Sequence, residues 1–381
     1  MMPLNPNLND LKRSAIRVYT NLAKTVDDCV MLTIGEPDFD TPQAIKDAAI
    51  RALQANQTHY APNQGTPELR RAIAAWETER GCVCNENQVL VTVGACEALY
   101  IAMTGILEPD SEVIVPTPGF LLYDIIATAA GAKTVPLDLT ATDFQITREA
   151  LEAVITPKTR AIVLNSPNNP TGVVYSAESL AAVKAAVLDK PIWVICDNVY
   201  QQLSTVEVPD LSLDEELREH VLLCQSFSKP YAMTGWRVGY LVGPEATVAR
   251  LILLHAGAVT AVPTFIQTAC ITALETDATP MATIYANRQA YVCRRLDEMG
   301  LSYPKPEGAF YVFPNIEKYG ISSADFCTRL ITEAKVATVP GSCFGTEGHL
   351  RISCCCSDAD LEKGLDRLAR FLQKMEYDVK L

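Results

Sequence analysis

At 381 residues with a hydrophobic fraction of 49%, the chain is longer than one average domain and carries enough apolar side chain for a sizeable core, so two domains are expected. A formal net charge of −13 excludes the basic face that nucleic-acid binding requires. Thirteen cysteines without a Cys-x-x-Cys pair, and four scattered histidines (His59, His220, His255, His349), argue against a zinc site and for reduced core thiols. Met1 to Asn7 lacks an apolar signal core. The most apolar stretch, Leu251 to Ile266, is broken by His255, Gly257 and Pro263, so a soluble cytoplasmic protein is expected.

Residues 1–30 read as an arm with one short helix, since Leu11, Ile16, Tyr19 and Leu22 lie near helical spacing. Met31 to Ile34 reads as a strand and Gly35 to Asp40 as a turn. Thr41-Pro42 suits a helix start, with Thr as cap and Pro in the first turn, and Ile45, Ala48, Ala49, Ala52 and Leu53 form that helix's apolar stripe. From residue 85 short β-rich runs alternate with helices: Val89–Val93, Glu112–Val115, Thr134–Leu137, Ala161–Leu164 and Ile192–Cys196, with helical patterns at Glu97–Leu107 and Ala177–Val187. This alternation predicts an α/β fold with a mostly parallel sheet covered by helices on both faces. Beyond about residue 280 come a long helix (Met281–Met299), strands at Gly308–Phe313 and His349–Ser353, and a final helix. Ser357 and Asp360 suit a capping box for that helix, and Leu361, Leu365, Leu368 and Phe371 form its buried stripe. Residues 41–280 are therefore expected to form a large domain, and 1–40 with 281–381 a smaller α+β domain.

The chemistry centres on Ser226-Phe227-Ser228-Lys229-Pro230-Tyr231-Ala232-Met233-Thr234-Gly235-Trp236-Arg237. A lysine can form a Schiff base with an aldehyde, while two hydroxyls and a guanidinium suit a phosphate. Strand-like runs at Val221–Cys224 and Gly239–Gly243 hold this loop between core elements. Continued through Tyr240, the segment resembles the lysine motif of the class I/II aminotransferases, the fold-type-I pyridoxal-phosphate enzymes.

Six further stretches agree in order and spacing, so the resemblance covers nearly the whole chain. Gly94-Ala95-Cys96-Glu97 opens a helix after a strand, where a glycine lets backbone amides approach an anion; its family counterpart binds the cofactor phosphate. Asn165-Ser166-Pro167-Asn168-Asn169-Pro170-Thr171-Gly172 is similar to the family's Asn-Pro-x-Asn-Pro-Thr-Gly motif, which implies that Asn169 bonds the pyridine 3′-oxygen and borders the substrate. Asp197, at a strand end, stands where an acid keeps the ring nitrogen protonated, and Tyr200 where a tyrosine shares the 3′-oxygen. Phe120 matches the ring-stacking aromatic. His59 to Gly65 resembles the loop whose tyrosine, here Tyr60, reaches the phosphate of a neighbouring subunit, which implies a homodimer with shared sites. Arg351, in Leu350-Arg351-Ile352-Ser353, resembles the arginine that grips the substrate carboxylate, with Gly35 alongside.

The resemblance points to the branch of bacterial aromatic and N-acetyl-diaminopimelate aminotransferases, with pyridoxal 5′-phosphate as cofactor and an α-amino acid and a 2-oxo acid as substrates. Lys229, Asp197 and Tyr200 are then the catalytic set. Ile16, Tyr19, Phe120, Tyr123 and Phe310 suggest an apolar side-chain pocket, hence aromatic or neutral amino acids; Cys96 stands where aspartate-preferring relatives can carry a lysine. Asn198, Val199 and the string Gly119-Phe120-Leu121-Leu122-Tyr123 depart from the usual pattern and bear on pocket shape. Two alternatives stand beside transamination. One is β-elimination from cysteine conjugates on the same scaffold. The other is a non-catalytic sensor, against which no basic helix-turn-helix segment precedes Gly35.

Overall fold

The computed structural model describes residues 5–9, 11 and 15–378, so the expectation placed on Met1 to Leu4 lies outside it. In chain order, α1 (Ala15–Ala23), β1 (Val30–Met31), α2 (Gln43–Gln54) and α3 (Pro67–Glu79) precede the main alternation. That alternation runs β2 (Val89–Thr92), α4 (Ala95–Ile106), β3 (Glu112–Thr117), α5 (Leu122–Ala129), β4 (Lys133–Asp138), α6 (Arg148–Val154), β5 (Thr159–Asn165), α7 (Ala177–Val187) and β6 (Trp193–Asp197). Strands β7 (Val221–Ser226) and β8 (Gly239–Val242) follow, then α8 (Glu245–Ala258), α9 (Thr264–Leu274) and α10 (Thr279–Glu298). The remainder holds β9 (Tyr311–Val312), α11 (Ser323–Ala334), β10 (Val336–Ala337), β11 (Val339–Pro340), β12 (Leu350–Ser353) and α12 (Asp358–Asp378).

Seven strands form one sheet in the order β2-β8-β7-β6-β5-β3-β4, in which β8 alone runs against the others. Every residue of β2 and β7 is buried, as the apolar runs predict for a sheet covered on both sides. Successive residues point to opposite faces. Val91, Ile162, Val194 and Leu223 thus enter one core cluster, while Leu90, Ala161, Ile195 and Leu222 enter another beneath α4, α5 and α8. A third cluster joins residues of the 19–32 segment to residues from 282 to 375, and takes in Tyr200 and Leu203 from the loop after β6.

Several local expectations change. Thr41 does not cap α2, whose first turn follows Pro42 without a side-chain cap. Its hydroxyl instead donates to the Ala232 carbonyl at 2.6 Å and accepts from Trp236 Nε1 at 3.0 Å, tying the N-terminal turn to the lysine loop. Leu53 is 45% exposed while Ile45, Ala48, Ala49 and Ala52 are buried, so the stripe is narrower than its spacing suggested. Leu11 lies ahead of α1. The strand expected at residues 31–34 pairs only through Val30 and Met31, parallel to β10, and the run 308–313 only through Tyr311 and Val312. Of the capping box expected at α12, one half forms: the Asp360 N–H bonds Ser357 Oγ at 3.1 Å, while the Asp360 carboxylate accepts from the Ser357 hydroxyl at 2.8 Å. Among the described residues no helix is long and apolar enough to cross a membrane.

Candidate active site

The antiparallel return of β8 between β2 and β7 builds the site. Gly239 pairs with both Thr92 and Ser226, so the chain following β2, the chain following β7 and the chain entering β8 meet at one sheet edge. Asn165 and Asp197, the last residues of β5 and β6, are register partners at the same edge. Open α/β sheets bind their ligands at this edge, because the loops beyond the strand ends converge there.

Lys229 leaves the end of β7 on a loop anchored by buried Phe227 and by the Met233 N–H on the Ser228 carbonyl at 3.1 Å. Its Nζ donates to the Gly35 carbonyl at 2.6 Å. Burial pulls the lysine pKa below its ordinary value. Facing it across the site, Asp197 is 3% exposed, and its Oδ2 accepts from the Tyr123 hydroxyl at 2.6 Å. Asn165 Nδ2 holds the Asp197 main-chain carbonyl at 2.9 Å. Asp197 Oδ1 is buried without a partner. Burial pushes this carboxyl up to about 6, against the opposing pull of Tyr123, a backbone amide and Lys229.

An anion cradle lies between these strands. Gly94, at φ +74°, caps α4 with no side chain, and a methyl group there would stand 2.6 Å from Arg237 Nη2. The positive φ favours glycine, and a methyl group would also push the Arg237 side chain aside. The N–H groups of Ala95 and Cys96, at the first two positions of a helix, have no partner inside it. Ser226 and Ser228 are buried beside them, joined by the Ser228 N–H on Ser226 Oγ at 3.0 Å. Arg237 is held in the left-handed region at φ +53°, with Nη1 on the Thr234 carbonyl at 2.9 Å.

Arg351, on β12, is 2% exposed. Its Nη1 donates to Asn169 Oδ1 at 2.9 Å and its Nη2 to the Thr33 carbonyl at 2.7 Å, leaving Nε buried without an acceptor. The guanidinium lies 4.4 Å from the Tyr311 ring centre and 5.1 Å from that of Phe344. Tyr311 in turn meets Tyr200, hydroxyl to hydroxyl, at 3.1 Å, and packs so closely on Gly35 that no side chain fits there. Because Asn169 Oδ1 is engaged, its amide Nδ2 is left to donate elsewhere.

Thus Gly35, Gly94, Ala95, Cys96, Asn169, Asp197, Tyr200, Ser226, Ser228, Lys229, Arg237 and Arg351 gather around one edge. Half-buried Phe120 packs edge-on against Tyr123, at 6.1 Å between ring centres. Tyr60 joins no other site residue within the chain; its ring is 92% exposed. The rings of Tyr19, Tyr123 and Phe310, expected to line an apolar pocket, are buried and each has a defined neighbour; the Phe310 ring centre lies 5.8 Å from Lys229 Nζ. Tyr123 is buried under Asp197, Phe310 lies fully buried in the third core cluster with Tyr19, and Ile16 packs on the cluster of Phe144, Phe313 and Phe344. Sequence reading missed Tyr311 and Asn165 as site residues. The alternation along the run 308–313 could have separated Tyr311 from Phe310, and Asn165 ends a strand beside Asp197.

The donor set matches a phosphorylated pyridine aldehyde. Free helix amides, two hydroxyls and an arginine suit the phosphate, the unpaired acid oxygen suits a ring N–H, and the buried amine suits the carbonyl. Fold and site together define a pyridoxal-phosphate-dependent enzyme. The profile of the family "Aminotransferase class I and II" matches residues 27–368. The chain is 38% identical to a probable N-acetyl-LL-diaminopimelate aminotransferase of Bacillus subtilis, covering 97% of this chain and 96% of that one. It is 36% identical to aromatic-amino-acid aminotransferase 2 of Thermococcus litoralis, covering 98% and 99%. The crystal structure of an aspartate aminotransferase from Thermotoga maritima superposes with a TM-score of 0.93 at 34% identity, over 97% of this chain and all of that one (100%). The chain belongs to the class I and II aminotransferases, and pyridoxal phosphate is the cofactor of that family.

Proposed function

We propose that the chain transfers the amino group of an α-amino acid with an aromatic or neutral side chain to a 2-oxo acid such as 2-oxoglutarate, by ping-pong turnover in one site. What supports this reading is a single convergence: the Lys229 amine, the unpaired Oδ1 of Asp197 and the unpaired Nε of Arg351. Pyridoxal phosphate, when bound, supplies a carbonyl that bonds amines and a ring that accepts an electron pair. In this reading the amides of Ala95 and Cys96, with Ser226, Ser228 and Arg237, would hold its phosphate, while the Gly94 amide donates to the Thr92 carbonyl at 2.9 Å and Gly94 serves by its missing side chain. Asn169 Nδ2 and the Tyr200 hydroxyl would hold the ring oxygen, Phe120 would cover the ring, and Asp197 Oδ1 would keep a proton on the ring nitrogen. Arg351 receives the substrate α-carboxylate, flanked by Asn169 and Gly35, and so orients the Cα–H bond. Lys229 Nζ removes the Cα proton and returns one, a role eased by burial, which enlarges its unprotonated fraction.

The substrate preference rests on Cys96, an uncharged exposed side chain on the first turn of α4, and on the aromatic rings of Tyr311, Phe344 and Phe120 about the site. We further propose a homodimer with shared sites. Tyr60, Tyr100, Leu253 and Leu254 are large exposed apolar side chains at 92%, 48%, 61% and 44%, and the last three lie on α4 and α8, which pack together. A panel of amino donors against 2-oxoglutarate and pyruvate tests the reading. Oxo-acid-dependent exchange supports it, whereas pyruvate and ammonia released from cysteine conjugates without an acceptor would assign β-elimination instead. Lys229→Ala is expected to lose turnover by at least ~10³-fold with its fold intact; retained activity would refute the assignment.

A further inference from the structure

Behind the anion cradle lies a buried carboxylate–imidazole pair. Glu97, the third residue of α4, turns its carboxylate inward, so that Oε2 accepts the Val93 N–H at 2.5 Å and Oε1 meets His255 Nδ1 at 3.0 Å. The His255 side chain is fully buried on the last turn of α8, and that of Glu97 is 11% exposed. His255 Nε2 has no partner, so Glu97 alone holds the ring in place through a hydrogen bond. The helices can meet here because Leu251 packs directly onto Gly105, which has no side chain to obstruct it.

The geometry follows from the glycine cap. Gly94, at a positive φ beside Arg237, has no side chain with which to bond the first amides of α4, and those amides are left for a ligand. The corner between β2 and α4 then needs another tie. Glu97 provides one by reaching back past the glycine to Val93, from the third helical position that a capping-box residue would occupy. Its side chain has to be held turned away from the cradle for this, because a carboxylate swung outward would take the same amides and repel a phosphate.

We propose that His255 and Glu97 are positioning residues for the cofactor phosphate: His255 holds the Glu97 carboxylate behind the cradle, and Glu97 fixes the β2–α4 corner whose amides bind the phosphate. The inference rests on the pyridoxal-phosphate reading above. Neither residue touches the reacting atoms.

The test compares affinity for pyridoxal phosphate with affinity for pyridoxal, which lacks the phosphate, using full-length protein stripped of cofactor. His255→Leu removes the donor and fills the space; His255→Asn keeps a donor near the position of Nδ1. The leucine variant is expected to weaken pyridoxal phosphate binding about 10-fold or more while changing pyridoxal binding less than about 3-fold, and the asparagine variant to recover most of the loss. Glu97→Ala should match the leucine variant. Equal losses for both ligands, or an asparagine variant no better than leucine, would mean a general structural role and overturn the proposal, as would unchanged phosphate-dependent affinity. Should His255→Leu fail to fold, the ratio of the two affinities in His255→Asn and Glu97→Ala decides by the same criterion. Wild-type protein that binds no pyridoxal phosphate would instead overturn the function on which the inference rests.

Discussion

Asp197→Asn should separate function from stability. The carboxyl is buried, one of its oxygens has no partner, and its pKa stands at about 6 against an ordinary 3.8. The folded chain therefore holds this proton more tightly than the unfolded chain. The corresponding stability is fully present below pH 3.8 and is lost as the pH rises through about 6. At about 1.4 kcal/mol per pH unit, the difference between 3.8 and about 6 amounts to about 3 kcal/mol for the cofactor-free protein. Asparagine cannot ionise, yet its carbonyl oxygen can still accept from Tyr123. The variant without cofactor is expected to be more stable than wild type at about pH 8 by up to ~3 kcal/mol, with the gap closing toward about pH 4, as read by urea denaturation across the pH range. Turnover with cofactor should fall by at least ~10²-fold, because the acid that holds the ring proton is gone. A variant less stable than wild type at about pH 8, or one whose stability keeps the same pH slope, would show that the acid is not strained in the absence of cofactor. It would also remove the argument that Oδ1 waits for a donor.

Two other substitutions test the opposite ends of the site. Arg351→Lys removes the planar fork that meets both Asn169 and Thr33, so kcat/KM for amino acids should fall ~10–100-fold, the equivalent of a charge-assisted hydrogen bond, while cofactor absorbance is kept; an unchanged KM would place the substrate carboxylate elsewhere. Gly94→Ala sets a methyl group 2.6 Å from Arg237 Nη2 at a positive φ, so the dissociation constant for pyridoxal phosphate, measured by equilibrium dialysis, should rise at least ~10-fold, and wild-type affinity would remove Arg237 from the phosphate site.

Several elements were legible in the residues because their causes are local. The run Ala177–Val187 is a helix at the bounds its pattern predicts, with Ser176 capping it through the Ser179 amide. The apolar strands and the Ser357 cap likewise depend on neighbours within a few positions. Thr41 was misread because a threonine before a proline has the same local appearance whether its hydroxyl caps a helix or reaches Ala232, which lies 191 residues away. Tyr123 and Phe310 were assigned to a pocket from ring chemistry alone. Only their neighbours show that the Tyr123 hydroxyl is engaged by Asp197 and that the buried Phe310 ring lies against Lys229 Nζ.

By itself, the sequence determined which chemical groups this protein possesses and the order in which strands and helices carry them, since hydrogen-bond caps, periodic burial and motif strings are written in adjacent residues. Tertiary structure alone decided which groups meet. The pairing of Gly239 with both Thr92 and Ser226 closes the cradle around Gly94 and Arg237, and contacts between distant segments leave Asp197 Oδ1 and Arg351 Nε without partners. Strand register and burial arise from packing between segments far apart in the chain, and no local pattern records them.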